Sequence, residues 1–406
     1  METIPKNEET TKVKLLKAGL LVAALLVAGM APAFADAPTA EGLKPVGQVK
    51  FDGGTELAAS GKFIYAGEMD GAAASPSRGT KPKEGGIHII DAKKMKEVGF
   101  LSCPGNDNDV EVVKPGLVVL SFHSNKCALG AGNGLMTVDV KNPKKPKVLG
   151  YINTGKNHTH KPLPGTTLVY TAGGGLAGGP AAGPAIVDVK DPRKPKVVAK
   201  PQTITTDCHD ISFHISKDKK LGFCAGAIGT GEVQIWDVSD PKAPTSIGKI
   251  VNPAIQYSHY ATASSDGKLL AIDDEAFAAH ECRTGQSPTG RVWIYDISNP
   301  MAPVPMGSFA APRGGDDVGF GHYVGWVPSW CLSHGLDWQP GTHNIAVTWF
   351  TGGVSVLNAD SPVSPTEIGY FQAEDSATYS ALWHKGRLFT NDMTRGVDSF
   401  TLAKKK

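Results

Sequence analysis

The stretch GLMTVDVKNPKKPKVLGYI, residues 134–152, consists of two apolar runs that flank a polar turn with two prolines. Aspartate caps a turn through hydrogen bonds from its side chain to nearby backbone groups, and proline fixes φ and cannot join a strand ladder. The first run ends at Asp139, and KVLGYI resumes the apolar pattern after the prolines. The stretch therefore predicts a β-hairpin whose turn begins at Asp139.

The same hairpin recurs along the chain, from Gly85, Gly183, Gly231, Gly290 and Gly352. The first strand of the successive copies ends in Asp91, Asp139, Asp188, Asp237, Asp296 and Asn358. The intervals between these positions are 48, 49, 49, 59 and 62 residues. A period of about 40 to 50 residues with four short strands per unit is typical of a β-propeller.

The two ends of the chain complete the repeat. GVDSFTL, from Gly396, is a seventh copy of the first strand, but no second strand follows it. LKPVGQVKF, residues 43–51, matches that missing strand. An open last blade would leave an unpaired edge, so we expect the N-terminal strand to close it. The sequence predicts an all-β, seven-bladed propeller with four-stranded antiparallel blades over residues 43–403, preceded by a short linker at residues 36–42.

The N-terminal segment predicts export. Lysines precede the apolar run AGLLVAALLVAGM, residues 18–30, and Ala33-Phe34-Ala35 follows it. This order is typical of a secretory signal peptide, which would span residues 1–35 with cleavage near Ala35. An uncleaved membrane anchor is the alternative, but the run is shorter than the ~20 residues that a bilayer needs. We therefore expect no transmembrane span in the mature protein and a location that is extracellular, periplasmic or at the cell surface.

The charge balance argues against nucleic acid as a partner. The chain has 41 basic and 39 acidic residues, a net charge of +2. Nucleic-acid-binding proteins carry a basic footprint that this composition lacks. We expect an extracellular ligand or protein as partner, no nucleic acid, and a monomer.

The repeat unit I-x-D-x-x-[ND]-P-x-x-P-x-x-x-G resembles the LVIVD repeat of extracellular bacterial and archaeal propellers. Longer segments, CHDISF from Cys208, SHYATA from Ser258, WCLSHGLDW from Trp330 and YSALWHKGRLF from Tyr379, are similar to one branch of that family. The resemblance covers nearly the whole mature chain. It implies the propeller fold and an exported protein, and it leaves the activity open because most such proteins have none established.

Four histidines are predicted to meet at the mouth of the central channel. Alignment of the innermost strands by their hairpins places His160, His209, His259 and His334 at one level in successive blades, with Asp109 in the blade before. Because innermost strands crowd around one axis, these rings should converge. Imidazole is a common metal ligand, so the set predicts a site for a divalent transition metal such as copper, zinc or iron. In NHTHKP, His158 is an alternative to His160.

Two carboxylates are candidate catalytic residues beside these histidines. Glu275 leaves the second strand of the His259 blade on the same face and is a candidate ligand or general base. Asp210 is a candidate acceptor that orients an imidazole. The structural alternative is that polar residues simply fill the channel with hydrogen bonds and ordered water.

Six cysteines in an exported chain predict three disulfides. Cys208 and Cys224 fall on neighbouring antiparallel strands, and Cys103 and Cys127 stand in nearly the same relation. Cys282 and Cys331 form the third predicted pair. Metal ligation by these thiols is disfavoured because the chain has no C-x-x-C spacing.

These features support two functional hypotheses. The first is a ligand- or partner-binding protein that uses its loop-rich, histidine-lined channel mouth, with long loops from Gly67, Gly173 and Asp273 on that face. The second is a metal-dependent enzyme, an oxidoreductase or hydrolase, with a histidine-cluster metal centre. The glycine-rich loops lack a G-K-[ST] ending, which argues against a nucleotide site, and no G-x-S-x-G motif occurs.

Overall fold

In the computed structural model, each repeat folds as the predicted hairpin, and its turn is held by the repeat aspartate. The Oδ1 atom of Asp139 accepts a hydrogen bond from Lys141 N at 2.9 Å, and Asp237 accepts one from Ser239 N at 2.8 Å. Asn358 does the same for Asp360 N. The turn chemistry is confirmed, including the copy in which asparagine replaces aspartate.

The structure describes residues 38–69, 85–106, 109–122, 124–125, 127, 133–155, 157–173, 184–201, 208–226, 231–275, 290–311, 313 and 332–403. The predicted signal peptide, Cys282, Cys331 and most of the three long loops lie outside these residues.

In chain order, the first six strands are β1 (Thr39–Glu41), β2 (Leu43–Val49), β3 (Gly54–Ser60), β4 (Phe63–Glu68), β5 (Gly86–Asp91) and β6 (Lys96–Ser102). The next six are β7 (Gly105–Asn106), β8 (Asp109–Lys114), β9 (Leu117–Phe122), β10 (Ser124–Asn125), β11 (Gly134–Asp139) and β12 (Lys147–Ile152). Then follow β13 (Thr159–Pro162), β14 (Leu168–Ala172), β15 (Ile186–Asp188), β16 (Lys196–Ala199), β17 (Asp210–Ile215), β18 (Lys220–Ala225), β19 (Glu232–Asp237) and β20 (Thr245–Val251). The remainder are β21 (Ser258–Ala263), β22 (Leu269–Asp274), β23 (Val292–Asp296), β24 (Val304–Phe309), β25 (Leu336–Trp338), β26 (Asn344–Thr348), β27 (Val354–Asn358), β28 (Thr366–Gln372), β29 (Thr378–His384), β30 (Arg387–Asp392) and β31 (Gly396–Leu402).

These strands form seven antiparallel blades. Blades 1 to 6 are β3-β4-β5-β6, β8-β9-β11-β12, β13-β14-β15-β16, β17-β18-β19-β20, β21-β22-β23-β24 and β25-β26-β27-β28. Blade 7 is β29-β30-β31 with β2 as its outer strand, in a register that pairs Leu43 with Leu402 and Val49 with Val397. The predicted all-β propeller, its seven blades and the N-terminal closing strand are confirmed.

The segment expected to be a linker carries a strand of its own. Within residues 36–42, β1 pairs with the outer strand of blade 6, and Thr39 lies opposite Gln372. An outer strand leaves a row of backbone donors and acceptors unpaired, and β1 satisfies part of that row. Gly42 then turns the chain toward blade 7 with φ of +65°, a conformation that favours glycine.

The innermost strands of the blades stand side by side around the channel. They are β3, β8, β13, β17, β21, β25 and β29; each contacts the next, and β29 contacts β3. The core lies between the blades, where apolar side chains of one sheet pack on those of the next. Phe223 and Ile235 of blade 4, for example, pack with Leu270 and Ile272 of blade 5.

Two of the predicted cysteine pairs are confirmed. Cys103 bonds Cys127 with their Cα atoms 4.8 Å apart, and Cys208 bonds Cys224 with theirs 5.2 Å apart. The third predicted pair involves residues outside the described part of the chain. None of the described residues belongs to a helix long and apolar enough to cross a membrane.

Candidate functional site

Four imidazoles come together where successive innermost strands begin. The ring centroids of His158 and His209 are 4.5 Å apart, those of His209 and His259 are 4.1 Å apart, and those of His259 and His334 are also 4.1 Å apart. We call these four residues the histidine row. It crosses blades 3 to 6 at the channel mouth.

Two groups in this part of the molecule have the geometry of a metal site. The first is His158, His209 and His259, and the second is His259, Glu275 and His334. Within each group the potential ligand atoms lie within 4.8 Å of one another. His259 is common to both, so it stands at the centre of the row.

Hydrogen bonds orient the imidazoles of the row. His209 Nδ1 donates to the carbonyl oxygen of His259 at 3.1 Å, and His334 Nδ1 donates to that of Tyr379 at 2.9 Å. These acceptors assign the proton to Nδ1, so Nε2 of each ring carries a lone pair. An imidazole held in this way is prepared to bind a metal through Nε2.

Glu275 lies between two rings of the row. Its Oε2 atom is 3.7 Å from His259 Nε2, and its Oε1 atom is 3.8 Å from His334 Nε2. These distances are too long for hydrogen bonds. They suit an ion bound at about 2.0–2.2 Å from each ligand atom, since two ligands of one ion lie roughly 3 to 4 Å apart.

Three rings of the row are buried, and this burial favours the neutral form of His259. His209, His259 and His334 are each 3% exposed. Burial, and then the neighbouring imidazoles of His209 and His334, lower the pKa of His259 well below its usual value. A neutral ring is the form that binds a metal.

His160 lies outside the row, one step deeper in the channel. Its Nδ1 atom is 2.9 Å from Ser121 Oγ and 3.0 Å from Asp109 Oδ2. His158 directly precedes β13 and His160 lies within it, two positions on, a shift of roughly 7 Å along an extended chain. Alignment by hairpin length does not resolve such a shift, and His158 holds the position that the alignment assigned to His160.

Asp210 does not take the role that the sequence suggested, and Asp273 contacts an imidazole of the row in its place. Asp210 accepts a hydrogen bond from Ile211 N at 2.7 Å and faces the channel, where burial raises its pKa to about 7. Asp273 instead faces the row, with Oδ2 3.4 Å from His259 Nδ1. This position of Asp273 was not predicted from the sequence. A charged residue at the end of an apolar strand is the feature that could have identified it.

Charged residues line a cavity beneath the row. The cavity, which we call the channel chamber, has a volume of about 80 Å³, and His259 and His334 are among the residues that line it. Its charged lining residues are Glu56, Asp109, Glu111, Lys161, Asp210 and Asp337. Most of these were not predicted either. Their common signal is a charged residue among the first three positions of an innermost strand.

An aromatic rim packs against the histidine row. The ring centroid of His334 is 4.0 Å from that of Tyr379 and 4.7 Å from that of Phe350. Tyr257 lies edge-on to His209 at 5.2 Å. The mouth thus combines a few convergent polar groups with aromatic walls, a composition typical of ligand sites.

Comparison with known proteins supports the fold. The β-propeller domain of Cps50 (Swd1) from Myceliophteria thermophila matches with a TM-score of 0.55 at 11% identity, covering 90% of this chain and 100% of that one. Sqt1 from Saccharomyces cerevisiae also matches with a TM-score of 0.55, at 8% identity, covering 89% of this chain and 86% of that one. No family model and no curated protein matches the sequence. These similarities show a β-propeller, and the resemblance to LVIVD-repeat proteins stays a prediction.

Proposed function

We propose that this protein binds a divalent transition metal at the channel mouth, through the histidine row and Glu275. The observation that carries the proposal is the pair of rings, His209 and His334, whose Nδ1 protons are held by backbone carbonyls. Nε2 of His334 also lies beside Glu275.

The ligand types narrow the choice of metal. Imidazole nitrogens with one carboxylate suit zinc, copper, iron or nickel, whereas calcium and magnesium prefer oxygen ligands alone. The cysteines nearest the row, Cys208 and Cys224, are joined to each other and supply no thiolate. Copper, zinc and iron remain the leading candidates.

We also propose that this protein is exported and that it belongs to the LVIVD-repeat propellers. The repeat unit and the predicted signal peptide support this assignment, and the two disulfides are compatible with an oxidising compartment. A bound metal at the mouth would also support metal-dependent catalysis, with Glu275 as a candidate general base where the histidines alone hold the ion.

Elemental analysis of the purified mature protein tests the metal site. We expect near-stoichiometric copper, zinc or iron, and loss of that metal in a His209→Ala/His259→Ala double variant that keeps its thermal unfolding transition. The matched control is His343→Ala/His384→Ala, which removes two histidines outside the row and should retain the metal. Metal-free protein that also fails to bind these ions in titration contradicts the proposal.

A second candidate is a module that binds an organic ligand or a protein partner at the same mouth without a metal. The aromatic rim of Tyr257, Phe350 and Tyr379 favours it, because such walls bury apolar ligand surface. Propellers are commonly binding scaffolds, so the fold suits this role as well as it suits a metal site. Protein that lacks metal but binds its partner, and loses the partner on Tyr379→Ala substitution, would favour this candidate.

A further inference from the structure

Basic residues are concentrated in the turns between the third and fourth strands of three successive blades. In blades 1 to 3 these turns hold eleven lysines and arginines but five aspartates and glutamates, within residues 91–97, 139–147 and 188–196. The corresponding turns of blades 4 to 6 hold one basic and four acidic residues, within residues 237–245, 296–304 and 358–366. The net charge of +2 for the whole chain conceals this separation of charge.

The fold does not require these basic side chains. Counted from the repeat aspartate, positions 3, 6, 7 and 9 are all lysine or arginine in blades 2 and 3, whereas blade 4 has Ser239, Lys242, Ala243 and Thr245 there. The backbone of the turn is nevertheless the same. The residue at position 3 donates its N–H to the repeat aspartate at 2.9 Å for Lys141, 2.8 Å for Lys190 and 2.8 Å for Ser239. Turn chemistry therefore does not explain the cations.

The basic side chains of the three turns are exposed and unpaired. Each is exposed, and none forms an ion pair with another described residue. We call them the basic strip, which comprises Lys93, Lys94, Lys96, Lys141, Lys144, Lys145, Lys147, Lys190, Arg193, Lys194 and Lys196. Acidic residues of the same turns are engaged locally. Asp191 accepts a hydrogen bond from Arg193 N at 3.1 Å, and Glu97 Oε2 lies 2.7 Å from His88 Nδ1.

The basic strip lies on the face of the propeller opposite the histidine row. Innermost strands begin at the row, so the antiparallel order of each blade places the turn from its third to its fourth strand on the other face. The turn of blade 2 packs on Gly99, three residues beyond Lys96, and the turn of blade 3 packs on Gly150, three residues beyond Lys147. The cations therefore form one continuous group along part of that face.

The residue types narrow the kind of partner. Ten of the eleven residues are lysine, which meets an anion as a point charge, whereas arginine is favoured for bidentate contacts. Single-stranded nucleic acid is bound by stacking its bases on aromatic rings, and the three turns contain no Phe, Trp or Tyr. Cations that stand on separate turns of one face can all approach a planar surface at once. Clusters of about four to eight basic residues are typical of proteins that bind anionic lipid headgroups.

We propose that the basic strip docks this protein on the surface of a bilayer that contains anionic phospholipid. The contact is electrostatic and peripheral, and the lysines approach the lipid phosphates. Docking by this face directs the histidine row away from the bilayer, so the channel mouth stays open to solvent. The proposal does not depend on a metal at the mouth, because the strip and the row lie on opposite faces.

Sedimentation with lipid vesicles tests the proposal. Vesicles of phosphatidylcholine with about one third phosphatidylglycerol should bind the purified protein, and binding should weaken about tenfold or more between about 50 and 200 mM salt, because exposed charges are screened. Vesicles of phosphatidylcholine alone should bind much less, and they measure any contact made by the apolar segment at residues 18–30. Absence of binding to the anionic vesicles, or equal binding to both kinds, overturns the proposal.

Substitutions that copy blade 4 locate the contact. Lys141→Ser/Lys145→Ala/Lys147→Thr gives blade 2 the side chains that blade 4 has at these positions, so the turn should form as before. This variant should bind the anionic vesicles about tenfold more weakly. Adding the same changes in blade 3, Lys190→Ser/Lys194→Ala/Lys196→Thr, should weaken binding about 100-fold in total. If the six-site variant unfolds, either triple variant alone decides the question.

The matched control removes the same charge elsewhere. Lys50→Thr/Lys200→Thr/Lys249→Thr changes exposed lysines at or near the mouth ends of outer strands, and it should bind anionic vesicles like the wild type. Equal losses in the control and the blade 2 variant, with unchanged melting temperatures, overturn the proposal because net charge would then govern binding. Protein that binds duplex DNA or heparin but not the anionic vesicles also overturns it, since the partner would then be a soluble polyanion.

Discussion

The partner of the Nδ1 atom sets the tautomer and the basicity of an imidazole in the histidine row. His209 and His334 are backed by backbone carbonyls, whereas His259 is backed by the carboxylate of Asp273. A carbonyl cannot donate a hydrogen bond, so it fixes the tautomer of its imidazole without a charge. A carboxylate also fixes the tautomer and increases the basicity of the ring. His259, which both ligand groups share, is the ring among these three that faces a carboxylate, with 3.4 Å between Nδ1 and Asp273 Oδ2.

Asp273→Asn should weaken metal binding about 10- to 100-fold, the usual effect of removing the acceptor behind a ligating histidine. The amide could donate to His259 Nδ1, which would move the ring proton to Nε2 and block the ligand atom. Competition with a metal-indicator dye would measure the change in affinity.

The matched control is Asp274→Asn, the adjacent carboxylate on the opposite side of the strand. Asp274 accepts hydrogen bonds from the backbone N–H groups of Gln256, Tyr257 and Gly290. Its substitution should lower the melting temperature rather than the metal affinity. Equal metal affinity in the wild type and Asp273→Asn would show that Asp273 does not position His259.

The repeated hairpin also explains how one blade fits against the next. In blades 1, 2, 4 and 5, a glycine of the repeat lies on the outer strand, where the proline turn of the next blade packs against it. At Gly307, a Cβ atom would lie 2.6 Å from the carbonyl oxygen of Pro362 and 2.7 Å from that of Val363. Gly99, Gly150 and Gly248 meet the turn of the following blade in the same way. The glycine and the proline of the repeat are thus two halves of one contact between blades.

Gly307→Ala should lower the free energy of unfolding by about 1–3 kcal/mol, because the clash is with backbone atoms that cannot rotate away. Thermal or urea-induced unfolding measures the loss. Val304→Ala, at a side chain 52% exposed on the same strand, should stay within about 0.5 kcal/mol of the wild type. If the two variants are equally stable, the blades do not depend on this contact.

Ring closure makes the N-terminal strand a structural part of the whole propeller. The strand β2 joins the last blade across nearly the full length of the sequence, and β29 packs on β3 to complete the circle. Without β2 the edge of β31 would be open to other chains. The short β1 adds only three residue pairs to blade 6 and should matter less.

A chain that begins at residue 38 should fold like the full-length chain, whereas one that begins at residue 50 should lose β2 and aggregate. Size-exclusion chromatography and thermal unfolding compare the two. A synthetic peptide of residues 38–51 should restore a monomeric, cooperatively folding species when it is added to the shorter chain. A monomeric chain from residue 50 with an unchanged melting temperature would show that closure by β2 is dispensable.

Blade number, strand order and the two disulfides could be predicted from the sequence because their causes are local. An Asx turn beside Asp139, a proline that cannot join a ladder and a two-residue strand period act within a few neighbouring residues, and they repeat. The convergence of His209, His259 and His334 followed from the same symmetry. The repeat itself therefore determined the architecture and the end of the channel where the histidines lie.

The depth of each side chain along the channel is set by the tertiary structure and could not be predicted from the sequence. His158 rather than His160 joins the row, and Asp273 rather than Asp210 contacts it. Glu56 and Asp337 line one chamber from blades 1 and 6. A shift of two residues along a strand costs nothing in local turn chemistry, yet it moves a side chain by roughly 7 Å. Which side chains share one level depends on how seven separate strands slide against one another, and the packing between blades sets that position.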